Sequence, residues 1–137
     1  MSQIEGGDSR KCILAVDDSA IVLSRIESTL GNDYDVVTVN SGARALKYLK
    51  EEKPDLILMD IRMAQKDGIE TLRDIRNMDD RKDIPVIMLT GVETKDSVLE
   101  SAKLGIRDYI LKPFYNDELI KRIHRVFEQE EQNQEES

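Results

Sequence analysis

Five short apolar segments recur along the chain, and a stretch with helical periodicity follows each of them. The apolar segments are CILAV at 12–16, VVTV at 36–39, LILM at 56–59, PVIML at 85–89 and DYIL at 108–111. Four of the five run apolar without alternation, which is typical of parallel strands that are covered on both faces. The strict alternation of strand and helix predicts an α/β fold, a doubly wound parallel sheet with helices on both faces.

In the helical stretches the apolar residues recur at steps of three or four, as Val22, Ile26 and Leu30 illustrate. Residues typical of helix ends stand at the matching positions. Suitable N-cap residues precede four of them, and glycines stand where two should end: Ser19, Ser41, Asp67 and Thr94, then Gly31 and Gly105. Glu70 follows Asp67 by three residues, as in a capping box. The fourth helix, near 94–104, has a thin apolar face, so we expect it to be the least firmly packed.

Length and composition indicate one ordinary globular domain. The 137 residues suffice for a single core, with 39% hydrophobic and 35% charged residues. We place a flexible N-terminus at 1–9, the domain at 10–127, and an acidic disordered tail or linker start at 128–137, where five Glu occur without a basic residue. A net charge of -8 makes nucleic acid and anionic lipid unsuitable as main partners.

The start of the chain and its cysteine content bear on location. No apolar run approaches the roughly 20 residues of a membrane-spanning helix. The N-terminal residues MSQIEGGDSRK lack the apolar core of a secretory signal, and Cys12 is the only cysteine. We therefore expect a cytoplasmic protein, in which Cys12 is a small core residue of the first strand.

Carboxylates stand where two of the predicted strands end. Asp17 and Asp18 follow the first strand and Asp60 follows the third, and these two strands are neighbours in a doubly wound sheet. The three side chains should therefore converge at the carboxyl edge of the sheet. Like charges at such short range raise carboxyl pKa values or attract a cation. Oxygen ligands without His or Cys suit Mg²⁺, and the sole histidine, His124, lies far along on the last helix.

Two further strand ends supply a hydroxyl and a cation. Thr90 follows the fourth strand and Lys112 follows the fifth. A carboxylate acceptor, a hydroxyl, an ammonium group and a metal ion are what in-line phosphoryl transfer requires. Each residue alone has a simpler explanation, since Asp17 and Asp18 could cap a helix and Thr90 could be a turn residue. Their joint position at four strand ends is what those explanations leave out.

At this point the sequence resembles the receiver domain of response regulators in two-component signalling. The resemblance covers about residues 10–127 and rests on VDDS at 16–19, LMDIRM with DG within 58–68, MLTG at 88–91 and DYILKPF at 108–114. It implies a (βα)5 flavodoxin-like fold with strand order 2-1-3-4-5. It also implies a cis peptide bond between Lys112 and Pro113.

The resemblance further implies a role for each site residue. Asp60 resembles the phosphoacceptor, with Thr90 as the switch hydroxyl, Lys112 as its partner cation and Tyr109 as the aromatic that moves inward with Thr90. The Mg²⁺ ligands would be Asp18 and Asp60, Asp17 through water, and the backbone carbonyl of Arg62. The phosphoryl group would come from a histidine kinase or a histidine phosphotransfer protein, and the face formed by the fourth helix, fifth strand and fifth helix would change shape.

Two positions depart from the pattern of many relatives. Met63-Ala64 stands where they have Met-Pro, so the loop lacks a fixed φ. Arg62 lies two residues after the acceptor, and we hypothesise that its guanidinium shields the acyl phosphate or pairs with Glu93.

Other functions stay open. A pseudo-receiver that acts as a phosphorylation-independent scaffold would use the same binding face. An aspartyl-nucleophile phosphohydrolase would usually place a second acid where this chain has Arg62. We expect a signalling phosphoacceptor with only self-phosphorylation and autodephosphorylation activity, whose output is a separate effector or a missing C-terminal domain; a phosphorylation-dependent dimer is a further partner to test.

Overall fold

The computed structural model describes residues 10–91 and 94–136, which form one five-stranded sheet with helices on both faces. The strands are β1 (Cys12–Val16), β2 (Asp35–Val39), β3 (Leu56–Asp60), β4 (Val86–Thr90) and β5 (Asp108–Leu111). The helices are α1 (Ala20–Leu30), α2 (Gly42–Glu51), α3 (Gly68–Arg76), α4 (Lys95–Lys103) and α5 (Asn116–Glu136). The proposed flexible segment 1–9 lies outside the described residues.

All neighbouring strands pair in parallel, in the order β2-β1-β3-β4-β5. The doubly wound, flavodoxin-like fold is therefore confirmed. β3 and β4 each extend one residue beyond the predicted end, so that Asp60 and Thr90 are the last residues of their strands. β4 starts after Pro85, which lacks an N–H for the ladder.

The covering of the strands differs from the prediction in one respect. Three strands, β1, β3 and β4, are buried along almost their whole length, rather than four. β2 is an edge strand, and Val36 to Val39 are only half-buried although they are mostly apolar. An apolar run predicts a covered strand, but it does not show whether that strand lies at the edge of the sheet, where it is more exposed.

Two hydrophobic clusters occupy the two faces of the sheet. One joins α1 and α5 to the sheet and includes Ile26, Leu119 and Ile123. The other joins α2 and α3 to the opposite face, with Leu49 and Leu72 among its buried members. Since both faces are occupied, the edge formed by the carboxyl ends of the strands is the surface on which side chains can meet a ligand.

The predicted helix caps are confirmed. Each of the four N-cap side chains accepts a hydrogen bond from the backbone N–H three residues later, and Asp67 and Glu70 form the expected capping box. α1 ends at Gly31, and α4 is followed by Gly105 with φ 77°. The conformation at Gly105 is the left-handed one that favours glycine.

α4 is thinly packed, as its sequence predicts. Of its nine residues only Ser101 is buried, and Leu99 is 51% exposed. Thr94 caps the first turn of α4. Arg73 of α3 forms an ion pair with Glu100, an exposed residue of α4. Few apolar contacts therefore oppose a displacement of this helix.

The last helix is longer than the sequence predicts. We expected an acidic disordered tail or the start of a linker from residue 128, but α5 continues as a helix to Glu136. Arg107, in the turn before β5, forms an ion pair with Glu130 and donates a hydrogen bond to Gln129. Because the buried part of α5 has already nucleated the helix, each added residue extends it at little cost, which the charge pattern alone does not reveal. Within the described residues, no helix combines the length and the apolar character needed to cross a membrane.

Candidate functional site

Three carboxylates converge at the carboxyl edge of the sheet, as the sequence predicts. Asp17 and Asp18 follow β1, and Asp60 ends the adjacent β3. Each can offer one oxygen such that all three atoms lie within 4.8 Å of one another. Asp17 and Asp60 are buried and Asp18 is exposed, so the cluster opens to solvent on the Asp18 side. This arrangement can hold a hard divalent cation.

Lys112 brings its ammonium group to the two buried carboxylates. Its Nζ lies 2.7 Å from Asp17 Oδ2 and 3.4 Å from Asp60 Oδ2. The backbone amide of Lys112 donates to the carbonyl of Thr90 at 2.8 Å, which extends the β4–β5 pairing past the end of β5. The Lys112–Pro113 peptide bond is cis, as expected.

Asp60 carries an unusual charge environment. Burial is the main cause that raises the pKa of its carboxyl from 3.8 to about 6, and the charge of Asp17 adds to it. Lys112 and a hydrogen bond from the Arg62 backbone act in the opposite direction. The Asp60 side chain is only 5% exposed, so its environment and not bulk water determines its protonation. At neutral pH, above this pKa, the carboxyl is mostly ionised.

Thr90 and Tyr109 lie on the two strands that complete the same edge. Thr90 is fully buried at the end of β4, one residue past Leu89, which is the β-ladder partner of Asp60. Tyr109 is half-buried on β5 and packs against the α2–α3 cluster. The structure thus brings Thr90 to the carboxylate edge, and it places Tyr109 on the neighbouring strand β5, on the face of the α2–α3 cluster. Their roles as switch residues stay predictions.

The loop between β3 and α3 forms one wall of the site. The backbone amide of Ala64 donates to Asp18 Oδ2 at 3.2 Å, a contact that sequence reasoning missed. An open cavity of about 620 Å³ lies beside this loop and is lined by Asp18, Arg62 and Ser97 among others. Arg62 is exposed at this cavity, as its proposed shielding role requires. Its other suggested partner, Glu93, lies outside the described residues.

Gly68 is a second feature that the motif did not explain. A β-carbon at this position would lie 2.1 Å from the backbone carbonyl oxygen of Asp60. The Gly68 amide also donates to the carbonyl of Ile61 at 2.8 Å. The start of α3 therefore touches the backbone of the acidic residue directly. The Asp-Gly pair was the only sequence signal for this close approach.

Gln65 has the one left-handed φ, 67°, among the described residues other than glycine. The β-carbon of any residue other than glycine costs roughly 1–2 kcal/mol in this conformation, and glycine avoids this at an entropic cost of roughly 0.5–1 kcal/mol. We therefore expect Gln65→Gly to raise the free energy of unfolding by about 0.5–1 kcal/mol. Urea unfolding would measure it. Gln65→Ala keeps a β-carbon and should leave stability unchanged, so an equal gain in both variants would refute the explanation.

The remaining candidates lie away from the site. His124 is exposed on α5, 3.8 Å from Glu128, as a surface residue would be. Cys12 is half-buried with its Sγ 3.8 Å from the Tyr48 hydroxyl, and burial raises the pKa of its thiol. A raised thiol pKa lowers the thiolate fraction, which favours a packing role for Cys12.

The fold and the site together define a class: a flavodoxin-like domain with an acidic, lysine-bearing pocket at the carboxyl edge of its sheet. The family model for the response regulator receiver domain matches residues 13–124. The chain belongs to the response regulator receiver domain family. Proteins of this family are components of two-component signalling.

Individual relatives agree with this assignment. The chain is 36% identical to the chemotaxis protein CheY of Bacillus subtilis over 116 residues, 83% of this chain and 95% of that protein. It is 40% identical to the transcriptional regulatory protein ZraR of Klebsiella oxytoca over 108 residues, 78% of this chain but 24% of ZraR. The crystal structure of a CheY-like receiver domain protein from Methanospirillum hungatei JF-1 superposes with a TM-score of 0.87 at 27% identity, and covers 91% of this chain and 99% of that one.

The relatives differ in length. The chain spans about a quarter of the ZraR proteins and about half of several other regulators that it matches. It spans nearly all of CheY from Bacillus subtilis. The similarity therefore covers the receiver domain that these proteins share.

Proposed function

We propose that this protein receives a phosphoryl group on Asp60 from a histidine kinase or a histidine phosphotransfer protein, in a Mg²⁺-dependent reaction. The observation that carries the proposal is the position of Asp60: it ends the buried strand β3, within reach of both Asp17 and the Lys112 ammonium group. A carboxylate at the end of a buried strand is held rigidly. Because it lies at the open carboxyl edge of the sheet, a phosphoryl donor can approach it.

The reaction forms one bond and breaks one. A carboxylate oxygen of Asp60 attacks phosphorus, the bond between phosphorus and the donor nitrogen breaks, and the electron pair stays on the imidazole of the donor. Asp60 must be ionised, and with a pKa of about 6 it is so at neutral pH. Lys112 stabilises the charge that develops on the phosphoryl oxygens, and Thr90 donates its hydroxyl to one of them after transfer.

The donor set of the acidic cluster fits Mg²⁺. Asp18 and Asp60 would bind it directly, Asp17 through water, and the Arg62 backbone carbonyl would complete the protein ligands. The metal would neutralise phosphoryl charge and orient the donor. Asp18 also holds the Ala64 amide, so this carboxylate fixes the β3–α3 loop while it faces the metal position.

Phosphorylation would then change a binding face. Two negative charges at Asp60 attract Thr90 and Lys112, and Tyr109 and the thinly packed α4 follow. The face of α4, β5 and α5 exposes Leu99, Leu111 and Ile120. We propose that a downstream effector, a C-terminal output domain or a second copy reads this face, and that the protein acts in the cytoplasm. Beyond slow self-phosphorylation and autodephosphorylation, no catalytic turnover is proposed.

The test is the intact mass of the protein after incubation with acetyl phosphate and Mg²⁺. We expect the parent to gain one phosphoryl group, and Asp60→Asn, or the parent in excess EDTA, to gain none. Lys112→Met should gain it at least about a hundredfold more slowly, since a preorganised charge contact is lost. A folded parent that gains nothing would favour the scaffold function. Continuous release of phosphate from external esters would instead favour the phosphohydrolase.

A further inference from the structure

The segment that carries Lys112 is held differently on its two sides. On the N-terminal side, the Lys112 amide binds the Thr90 carbonyl and continues the sheet. On the C-terminal side, residues 113–115 lie between β5 and α5 and belong to neither. The position of the ammonium group therefore depends on what holds this short connection.

Arg25 of α1 makes three contacts with that connection. Its guanidinium donates a hydrogen bond to the backbone carbonyl of Phe114, and its Nε donates to Asn116 Oδ1 at 3.0 Å. Its guanidinium carbon also lies 4.5 Å from the centroid of the Phe114 ring. A planar guanidinium can stack over a ring while its in-plane N–H groups donate to two separate acceptors, a geometry that the compact ammonium group does not match.

Phe114 connects Arg25 to the hydrophobic core. Its side chain is 3% exposed and belongs to the cluster of α1 and α5, with Leu119 and Ile26. Arg25 covers it from the outside, on an exposed surface of α1. Phe114 is thus fixed between the core and Arg25, two residues beyond Lys112.

The same helix also holds the carboxylate partner of Lys112. The backbone amide of Ser19, the N-cap of α1, donates to Asp17 Oδ1 at 2.9 Å, and the other oxygen of Asp17 binds Lys112. α1 therefore holds Asp17 at its first turn and the Lys112 segment through Arg25. α1 thus contributes to the Asp17–Lys112 distance from both sides, in addition to the sheet.

We propose that Arg25 is a positioning residue for phosphoryl transfer, which holds Lys112 where its ammonium group reaches both Asp17 and Asp60. This inference rests on the proposed phosphoacceptor function. Arg25 does not touch the reacting atoms. Without it the 113–115 connection gains freedom, and Lys112 spends less time at the position that stabilises the transferring group.

The experiment measures the rate at which the protein gains a phosphoryl group from acetyl phosphate at saturating Mg²⁺. Arg25→Met, which keeps the length and loses the charge, is expected to slow the reaction roughly tenfold. Arg25→Lys keeps a cation near the ring and should restore part of the rate. In the Lys112→Met background, Arg25→Met should change the residual rate by less than about twofold, because the residue acts through Lys112.

Arg10→Met is the matched control. Like Arg25, Arg10 has an exposed guanidinium that donates hydrogen bonds to backbone carbonyls. Its acceptors are the carbonyls of Gly31 and Tyr34, at the other end of α1. It should leave the rate unchanged. Thermal unfolding curves would identify a temperature at which every variant is folded, and the rates would be compared there. If Arg25→Met does not fold, the comparison uses Arg25→Lys alone.

Three outcomes would overturn the inference. The first is a parent-like rate in Arg25→Met, and the second is a tenfold loss that persists in the Lys112→Met background. The third is an equal loss in Arg10→Met. A parent that gains no phosphoryl group overturns the proposed function itself, whereas the first three outcomes leave that function intact.

Discussion

Replacing Gly68 with Ala is expected to lower the free energy of unfolding by about 3 kcal/mol or more, at the upper end of overpacking substitutions. The added β-carbon would lie 2.1 Å from the Asp60 carbonyl oxygen and 2.9 Å from the Ile61 α-carbon. Both are backbone atoms of β3 and its connection, so no side chain can rotate away to make room. α3 must move outward, and the hydrogen bond from Gly68 to Ile61 is lost with it.

Urea unfolding of Gly68→Ala beside Gly91→Ala would measure this effect. A β-carbon at Gly91 would meet its nearest atom, the Lys112 β-carbon, at an ordinary 3.9 Å, so that variant should lie within about 0.5 kcal/mol of the parent. The Gly68 variant should also accept phosphoryl groups more slowly, because the displaced contact is with Asp60, the proposed acceptor. Equal stability of the two variants would show that the α3–β3 approach is not close.

Asp60→Asn is expected to stabilise the protein at neutral pH by up to about 3 kcal/mol in the absence of divalent cations. A pKa raised from 3.8 to about 6 means that the folded state holds a proton on Asp60 more tightly than the unfolded state does. The ionised carboxylate is thus unfavourable in the fold, where it is buried beside Asp17. Asn removes this charge and leaves Lys112 paired with Asp17.

The pH dependence follows from the sign of that shift. The contribution of Asp60 to stability is fully present below pH 3.8 and is lost as pH rises through about 6. The stability advantage of Asp60→Asn over the parent should therefore grow between about pH 4 and pH 6 and stay constant above. Chemical unfolding of both proteins at several pH values in EDTA would measure it.

Two controls accompany that comparison. Asp33→Asn removes one exposed carboxylate at the opposite end of the sheet and corrects for the change in net charge. Excess Mg²⁺ should raise the free energy of unfolding of the parent, because a bound cation compensates the charge of Asp60. The difference in stability between the parent and Asp60→Asn should therefore become smaller. A difference in stability between Asp60→Asn and the parent that does not vary with pH would contradict the raised pKa of Asp60.

Most of the secondary structure could be predicted from local sequence. The apolar runs located all five strands to within a residue, because a strand covered on both faces must be apolar along its length. The caps at Ser19, Ser41, Asp67 and Thr94 were predictable for a similar reason, since an N-cap bonds a backbone amide only three residues away. Alternation of strand and helix then leaves few topologies.

The gathering of site residues was also predictable, though not their environment. Parallel strands bring their carboxyl ends to one edge, which is why Asp17, Asp18 and Asp60 could be expected to converge. The burial of Asp60, which is the main cause of its raised pKa, depends on how the elements around the end of β3 pack. Similarly, the charge pattern did not reveal that α5 continues past residue 128, where Arg107, more than 20 residues earlier in the sequence, pairs with Glu130.

Contacts between distant backbone segments were beyond the reach of the sequence pattern. The amide of Ala64 on Asp18, the approach of Gly68 to Asp60, and the grip of Arg25 on Phe114 each join parts of the chain that no periodicity relates. The pattern of residue types determines which elements form and at which edge their ends meet, because those depend on burial and on near neighbours. The distances that determine the charge state of Asp60 arise only when the packed elements bring separate parts of the chain into contact.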